Sequence, residues 1–528
     1  MGAADDIRWD QMTFPRTLWR AAEHHGDALA LDDEGVRLSF GELAAQAEEA
    51  SRAFLAARLQ HGDRVAIWAP NVWEWVVAAL GLQSVGGVLV PLNTRYKAAE
   101  AGYILRRSRA RVLCTMGEFL GTSYADSLGD ESLPDLERVV VFRGASKRGE
   151  PWADFVASGS GVAAGDAQAR AEAVAPDDLS DILFTSGTTG NPKGVMTAHG
   201  QNLRVFDAWS QGVGLREGDR YLIANPFFHS FGYKAGWLAC LIRGATAIPH
   251  QVFDAAKVMD RISRERISVL PGPPTIYQSF LAHPERAKHD LSSLRLAVTG
   301  AAAVPVELVK RMRSELGFES VITAYGLTES CGTVSMCLPD DDAETIATTS
   351  GRAIPDTEVR CVDADGKEVA RGSEGEIWVR GYNVMRGYFE DAAETAKTVD
   401  AEGWLHTGDV GVMDERGYLR ITDRIKDMFI CGGFNCYPAE IENLIFQHPG
   451  IAQVAVIGIP DERMGEVGMA FVVPRPDAEL EPDALIAWCR EKMANYKAPR
   501  RIEIVSALPT NASGKVLKTE LRQQPAAR

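Results

Sequence analysis

Apolar and polar positions in the first half of the chain change period repeatedly. Val65-Ala66-Ile67-Trp68 is a short continuous apolar run, the 72–85 stretch is long enough for a helix, and Gly87-Val88-Leu89-Val90 is apolar again. This succession predicts a βαβ unit, and such units imply a parallel sheet. It returns at 221–224, 236–241 and 246–248, and again at 255–265 followed by 267–270. A further strand is expected at 294–299. Pro305 then suits the first position of a helix ending near Leu316, and 321–324 closes the unit.

The texture changes after about Ser350. The stretches 358–362, 376–380 and 417–422, with the turn Asp363-Ala364-Asp365-Gly366, read as antiparallel strands joined by polar turns. Beyond Asp423 the pattern predicts helices over 439–446 and 483–493 and strands over 452–459, 467–473 and 501–505. The expected fold is therefore α/β: a large N-terminal body of βαβ-derived sheets with a β-rich subdomain, residues 1–423. A small mobile α+β C-terminal domain, 424–528, follows it. No internal repeat interrupts this order.

Composition narrows the classes of function. At 46% hydrophobic and 24% charged residues, the chain is neither disordered nor collagen-like. A net charge of −16 argues against general binding to nucleic acid or anionic membranes, because a polyanion gains nothing from an acidic surface. Eight cysteines in 528 residues, without CxxC or HxxxH spacing, read as reduced thiols of a cytoplasmic protein. The N-terminal MGAADDIRWD has no apolar core of a signal peptide. The most membrane-like stretch, 75–92, is broken by Gln83, Ser84, Gly86 and Gly87, so no integral membrane association is expected.

Four groups of residues carry candidate chemistry. Thr185-Ser186-Gly187-Thr188-Thr189-Gly190-Asn191-Pro192-Lys193-Gly194 follows the apolar Ile182-Leu183-Phe184. Three glycines, four hydroxyls and a lysine within ten residues suit an anion, offering open backbone N–H groups, O–H donors and a mobile cation. It is not a Walker A loop, because a strand-like run follows the lysine instead of a helix. A flexible hydroxyl-rich linker is the plain alternative. The second group brings Gly300-Ala301-Ala302-Ala303 and Tyr325-Gly326-Leu327-Thr328-Glu329 to the carboxyl ends of two successive strands, where open α/β sheets bind ligands. Tyr325 offers a ring face, Thr328 a hydroxyl and Glu329 a hard oxygen for Mg²⁺; ordinary helix capping would use the same residues. Third, Trp404-Leu405-His406-Thr407-Gly408-Asp409 precedes Arg424. An Asp–Arg pair can hold two ribose hydroxyls, while Thr-Gly-Asp is equally a plain turn. Last, Lys515 sits on Pro509-Thr510-Asn511-Ala512-Ser513-Gly514, where a point charge could swing into a site or simply be solvated.

In this order and spacing, the four groups resemble the adenylate-forming superfamily of acyl-CoA synthetases, nonribosomal adenylation domains and firefly luciferase. The resemblance covers nearly the whole chain and includes Leu38-Ser39-Phe40-Gly41-Glu42-Leu43, Ser84-Val85-Gly86-Gly87, Gly375-Glu376-Ile377, Gly387-Tyr388 and Asn495-Tyr496-Lys497-Ala498-Pro499. It implies an enzyme that joins a carboxylic acid to AMP with loss of pyrophosphate and then passes the acyl group to a thiol. ATP, Mg²⁺ and CoA are the implied cofactors and co-substrates, and a homodimer is an admitted assembly. Thr185, Ser186, Gly187, Thr188, Thr189, Gly190 and Lys193 would bind the β- and γ-phosphates. Tyr325 would stack on adenine beside Gly300, Ala301, Ala302 and Gly326, Thr328 would contact the α-phosphate, and Glu329 would bind Mg²⁺. Asp409 and Arg424 would hold the ribose, and Lys515 would bridge the acid and the α-phosphate.

The same resemblance implies that the small domain rotates between the two half-reactions about Lys426. Asp423 and Lys426 stand where the family more often has Gly and Asp. Rotation would bring Gly432, Gly433 and Phe434 to the site, the glycines leaving room for a pantetheine arm. Asn225-Pro226-Phe227-Phe228-His229-Ser230-Phe231-Gly232 matches the segment lining the acid site, with His229 orienting the acid. Phe231, Lys234, Trp237, Ala301 and Thr323 are candidate pocket walls. No aspartate stands where amino-acid-activating relatives bind an amine, so an apolar acid is expected: a fatty acid or a cyclic or aryl alkanoic acid, including a steroid-derived propanoate. The competing readings are an adenylation enzyme loading a separate carrier protein and a non-enzymatic nucleotide-binding regulator.

Overall fold

The computed structural model describes residues 8–129, 131–185, 192–300, 304–424, 427–431, 434–461, 463–476, 478–493, 495–510 and 516–523. Among these, the strands form an eight-stranded sheet, a pair of four-stranded sheets that abut it, a third four-stranded sheet and a five-stranded C-terminal sheet. The expected βαβ unit is the centre of the largest sheet: Arg64–Trp68 pairs in parallel with Val88–Pro91, and Trp73–Ser84 is the crossover helix. That helix is apolar on all sides and nearly every residue is buried, as a crossover between packed layers requires. Its two long polar residues are both partnered: Glu74 accepts from Arg143 Nε (2.7 Å), and Gln83 donates to the carbonyl of Ser180 (3.1 Å) and the hydroxyl of Tyr233 (2.8 Å).

Leu179–Thr185 and Lys193–Ala198 join this sheet as an antiparallel hairpin with Thr185 opposite Lys193. The short Gly387–Tyr388 strand caps its edge, with Tyr388 opposite Val195. Beside it, Leu296–Thr299 and Ser320–Tyr325 run in parallel, so Gly300 and Tyr325 share one sheet end. Bridges from Tyr221 to Val269 and from Val269 to Leu296 tie this pair to the Arg220–Ile223 sheet. One apolar core, from Phe14 to Ile354, lies under these layers.

The β-rich subdomain is an antiparallel sheet of Thr357–Val362, Glu374–Gly381, Leu405–Met413 and Leu419–Arg424, with its own small core around Ile377, Val379, Leu405 and Leu419. From Phe429 onward the chain packs a further core, in which Pro438–Ile445 and Pro482–Lys492 cover Ile451–Asp461, Gly465–Pro474 and Arg501–Ile504. All eight cysteines are buried free thiols. Among the described residues no helix is long and apolar enough to cross a membrane.

Candidate active site

Tyr325, at the carboxyl end of its strand, meets Asp409 of the β-rich sheet. Thr407-Gly408-Asp409 is a bulge inside Leu405–Met413 rather than a free turn, with Gly408 in the left-handed region at φ +68°. The bulge is held from both sides. Thr407 Oγ1 donates to the carbonyl of Ile377 (2.7 Å), and the Gly408 N–H donates to Glu376 Oε1 (3.1 Å). The other Glu376 oxygen accepts from Trp378 Nε1 (2.9 Å). Asp409, only 2% exposed, accepts a 2.6 Å hydrogen bond from the Tyr325 hydroxyl, 84 residues away in sequence. Asp409 also lies directly across the ladder from Arg424. Tyr325, Asp409 and the Arg424 backbone are therefore one assembly.

The loop after Tyr325 is shaped by close backbone packing. A Cβ on Gly326 would lie 2.2 Å from the Gly332 carbonyl oxygen, so only glycine fits. Thr328–Ser330 is a single 3-10 turn, tied by Ser330 Oγ to the Leu327 N–H (2.9 Å). At Gly300 a Cβ would make only ordinary contact, 3.6 Å from the Ala324 carbonyl oxygen.

Charge on the phosphate side is organised by residues far apart in the chain. Lys193 forms an ion pair with Glu394 and sits 5.4 Å from the centre of the Tyr388 ring. The lysine holds the Glu394 carboxyl below the ordinary carboxylate range. Tyr388 donates in turn to Glu329 Oε1 (3.0 Å), and the Glu329 carbonyl accepts from the Met385 N–H (2.8 Å). Lys193 and Glu329 are thus two ends of one polar chain. The Glu329 carboxylate is the type of hard oxygen ligand that Mg²⁺ takes, one or two carboxylates with phosphate oxygens completing the shell. Glu394 carried no sequence signal, since its partner is 201 residues distant. Glu376 lay in a motif whose role only the bulge reveals.

The acid-side segment is built differently. His229 caps the Ser230–Gly232 turn, its Nδ1 accepting the Phe231 N–H at 3.2 Å, which leaves the proton of the neutral ring on Nε2. The ring is exposed, yet surrounding protein desolvates it and lowers its pKa. A Cβ on Gly232 would stand 2.2 Å from the Pro226 carbonyl oxygen, so this turn too requires glycine. Tyr233–Leu238 continues as a π-helical turn, with Gly236 far from helical geometry at φ −91°, ψ −105°; such turns cluster at functional sites.

Three expected pocket walls are corrected. Trp237 is 2% exposed and stacks on Tyr233 (4.9 Å between centroids) against Trp75 and Phe14, because a bulky apolar ring in this segment is best buried in the core. Thr323 is buried, and its hydroxyl is committed to the carbonyls of Ile346 (2.8 Å) and Thr349 (3.0 Å). Lys234 is buried in an ion pair with Asp181 (2.9 Å), since an ammonium in the interior needs a counter-charge. Phe227 is fully buried against Trp75, whereas Phe231 is half-buried. Ser186, Gly187, Thr188, Thr189, Gly190, Ala301, Ala302, Lys426, Gly432, Gly433 and Lys515 lie outside the described residues, as do the side chains of Arg424 and Phe434. Phe429–Cys431 pairs antiparallel with Phe434–Cys436, and Thr510 bridges Val516.

With this geometry in place, comparison assigns the class. Residues 18–389 match the AMP-binding enzyme family and residues 440–515 its C-terminal domain. A 3-[(3aS,4S,7aS)-7a-methyl-1,5-dioxo-octahydro-1H-inden-4-yl]propanoyl:CoA ligase of Rhodococcus jostii is 52% identical over 97% of this chain and 98% of its own. A ligase of the same name from Mycobacterium tuberculosis is 52% identical over 97% of this chain and 99% of its own. The crystal structure of an anthranilate CoA ligase with anthranoyl-AMP superimposes at a TM-score of 0.86, with 30% identity over 99% of this chain and 98% of that one. The chain belongs to the AMP-binding, adenylate-forming enzyme family. Within it, the activity is that of an acyl-CoA ligase, which uses ATP and CoA as substrates.

Proposed function

We propose that the enzyme activates a fused-ring alkanoic acid, a steroid-derived propanoate, and transfers its acyl group to CoA. The observation that carries the substrate class is 52% identity, spread over 97% of the chain, to two ligases for a methyl-dioxo-octahydroindenyl propanoate.

In the first half-reaction an acid oxygen attacks the α-phosphorus, the bond to the β-phosphate oxygen breaks, and pyrophosphate leaves. Asp409 and Arg424 hold the ribose, and Tyr325 holds the adenine beside Gly300, Ala301, Ala302 and Gly326. Thr328 contacts the α-phosphate. Thr185 to Gly190, with Lys193, gather the β- and γ-phosphates, while Glu329 would hold Mg²⁺, which supplies charge neutralisation on the phosphates. His229 Nε2–H donates to the acid. Lys515 stabilises the charge that develops between the two reactants; positioning and electrostatics of this kind supply most of the rate in phosphoryl chemistry. Residues 424–528 then turn about Lys426, and Gly432, Gly433 and Phe434 admit the pantetheine arm. Its sulfur attacks the acyl carbon and AMP departs. A cytoplasmic setting suits these substrates.

A panel of bicyclic propanoate, straight-chain and aryl acids, read as CoA-dependent AMP release, tests this assignment. The bicyclic acid is expected to lead in kcat/KM by about tenfold or more, with Lys515→Ala abolishing pyrophosphate release but sparing thioester formation from supplied acyl-AMP. A leading straight-chain acid overturns the substrate class. Turnover with a holo-carrier protein and none with CoA overturns the choice of acceptor.

A further inference from the structure

Lys234 is an anomaly in an otherwise apolar stretch, 1% exposed and five residues beyond His229. Its ammonium lies 2.9 Å from Asp181 Oδ1 and donates to Thr197 Oγ1 at 3.0 Å. Asp181 and Thr197 belong to the two strands of the phosphate hairpin, and Thr197 Oγ1 donates to the same carboxylate oxygen at 2.7 Å. The other Asp181 oxygen accepts from Asn202 Nδ2 and Ser180 Oγ, each at 2.8 Å. Every lone-pair direction of the buried carboxylate is thereby engaged, which is the condition under which a buried ion pair is tolerated.

The location gives the pair a task beyond tolerance. Lys234 lies in the π-helical turn that continues the His229 segment, so its ammonium joins that segment to the strands that carry the phosphate loop. The same segment also touches the Thr328 loop: Ser230 abuts Gly332, and the Lys234 charge opposes the effect of burial on the Cys331 thiol. The charged bond thus joins two motifs from distant parts of the chain, and the segment that carries Lys234 packs on a third. An apolar contact could slide, whereas an ion pair with fixed donors and acceptors sets one register.

We propose that the Lys234–Asp181 pair is a positioning device that sets the acid-binding segment against the phosphate hairpin, so that the acid carboxylate and the α-phosphate are held at reacting distance. The inference rests on the assignment of residues 229–231 to the acid site. Its consequence is specific to one half-reaction. Adenylation brings two separate molecules together, and small misplacements of such reactants are costly. In acyl-AMP the two halves are already joined, so thioester formation does not depend on that register.

The test uses the full-length enzyme in three variants, Lys234→Met, the double variant Lys234→Met/Asp181→Asn, and His229→Ala, with each half-reaction measured separately. The double variant removes both charges, so it remains informative should the single variant fail to fold. Adenylation is expected to slow by about tenfold or more in both Lys234 variants, while thioester formation from supplied acyl-AMP changes by less than about threefold. Parallel loss in both half-reactions, or full recovery of adenylation in the double variant, overturns the proposal and leaves only charge compensation in the core. If His229→Ala does not alter the KM for the acid, the acid-site assignment itself fails. If His229→Ala does alter it but the double variant adenylates normally, the positioning role alone fails.

Discussion

The two sides of the site are built on different principles. On the nucleotide side Asp409 is buried, receives a 2.6 Å hydrogen bond from Tyr325, and sits in a bulge fixed by Thr407 and Glu376. On the acid side His229 presents an exposed ring with a single 3.2 Å bond to its own turn, followed by a distorted π-helical segment. ATP is invariant and rewards a pre-organised frame. The acid differs among relatives, and a segment whose backbone already departs from regular helix can change its contour without unfolding a sheet. On the proposed assignment, the rigid half binds what all relatives share and the distorted half binds what differs among them.

The largest expected effect breaks the rigid half. Asp409→Ala removes a buried acceptor and its 2.6 Å hydrogen bond from the Tyr325 hydroxyl, so kcat/KM for ATP should fall by about 10²-fold, whichever acid is used. Steady-state kinetics across several acids check this, and an effect that varies with the acid would erase the division. A smaller effect is expected at His229. His229→Ala should raise the KM for the acid by about tenfold with little change in the KM for ATP, and the size should depend on the acid. Equal effects on both substrates would mean that the two sides are one unit.

The smallest effect on turnover is expected at a buried histidine outside both halves. His199 is fully buried, accepts the Phe14 N–H on Nδ1 at 3.3 Å, and has no partner on Nε2. Burial lowers its pKa from 6.5 to about 4. Between these values the unfolded chain binds more protons than the folded one, so stability present above pH 6.5 is lost as pH falls toward 4. The loss attributable to this group approaches about 3 kcal/mol. In His199→Leu the denaturant midpoint should vary less over that window while kcat at neutral pH is kept. An unchanged pH slope would remove His199 as its source.

Much of the frame was legible in the chain. The βαβ unit at 64–91 was readable because helix and strand periods are local properties. The errors share a cause. Trp237, Thr323 and Lys234 stand in or beside strand ends and motif segments that form the site, yet each side chain points into packed interior. Linear proximity to a motif carries no information about which way a side chain faces when the helix is a π-turn rather than a regular one.

By itself the sequence determined the order of the motifs and the α/β class. Only the tertiary structure decided which charges meet: Lys193 with Glu394, Tyr325 with Asp409, Lys234 with Asp181. Local patterns arise from interactions within a few residues and are written consecutively. Charge partners are selected by burial, which forces a polar group to find whatever complementary group the packed layers bring beside it, however distant in the chain.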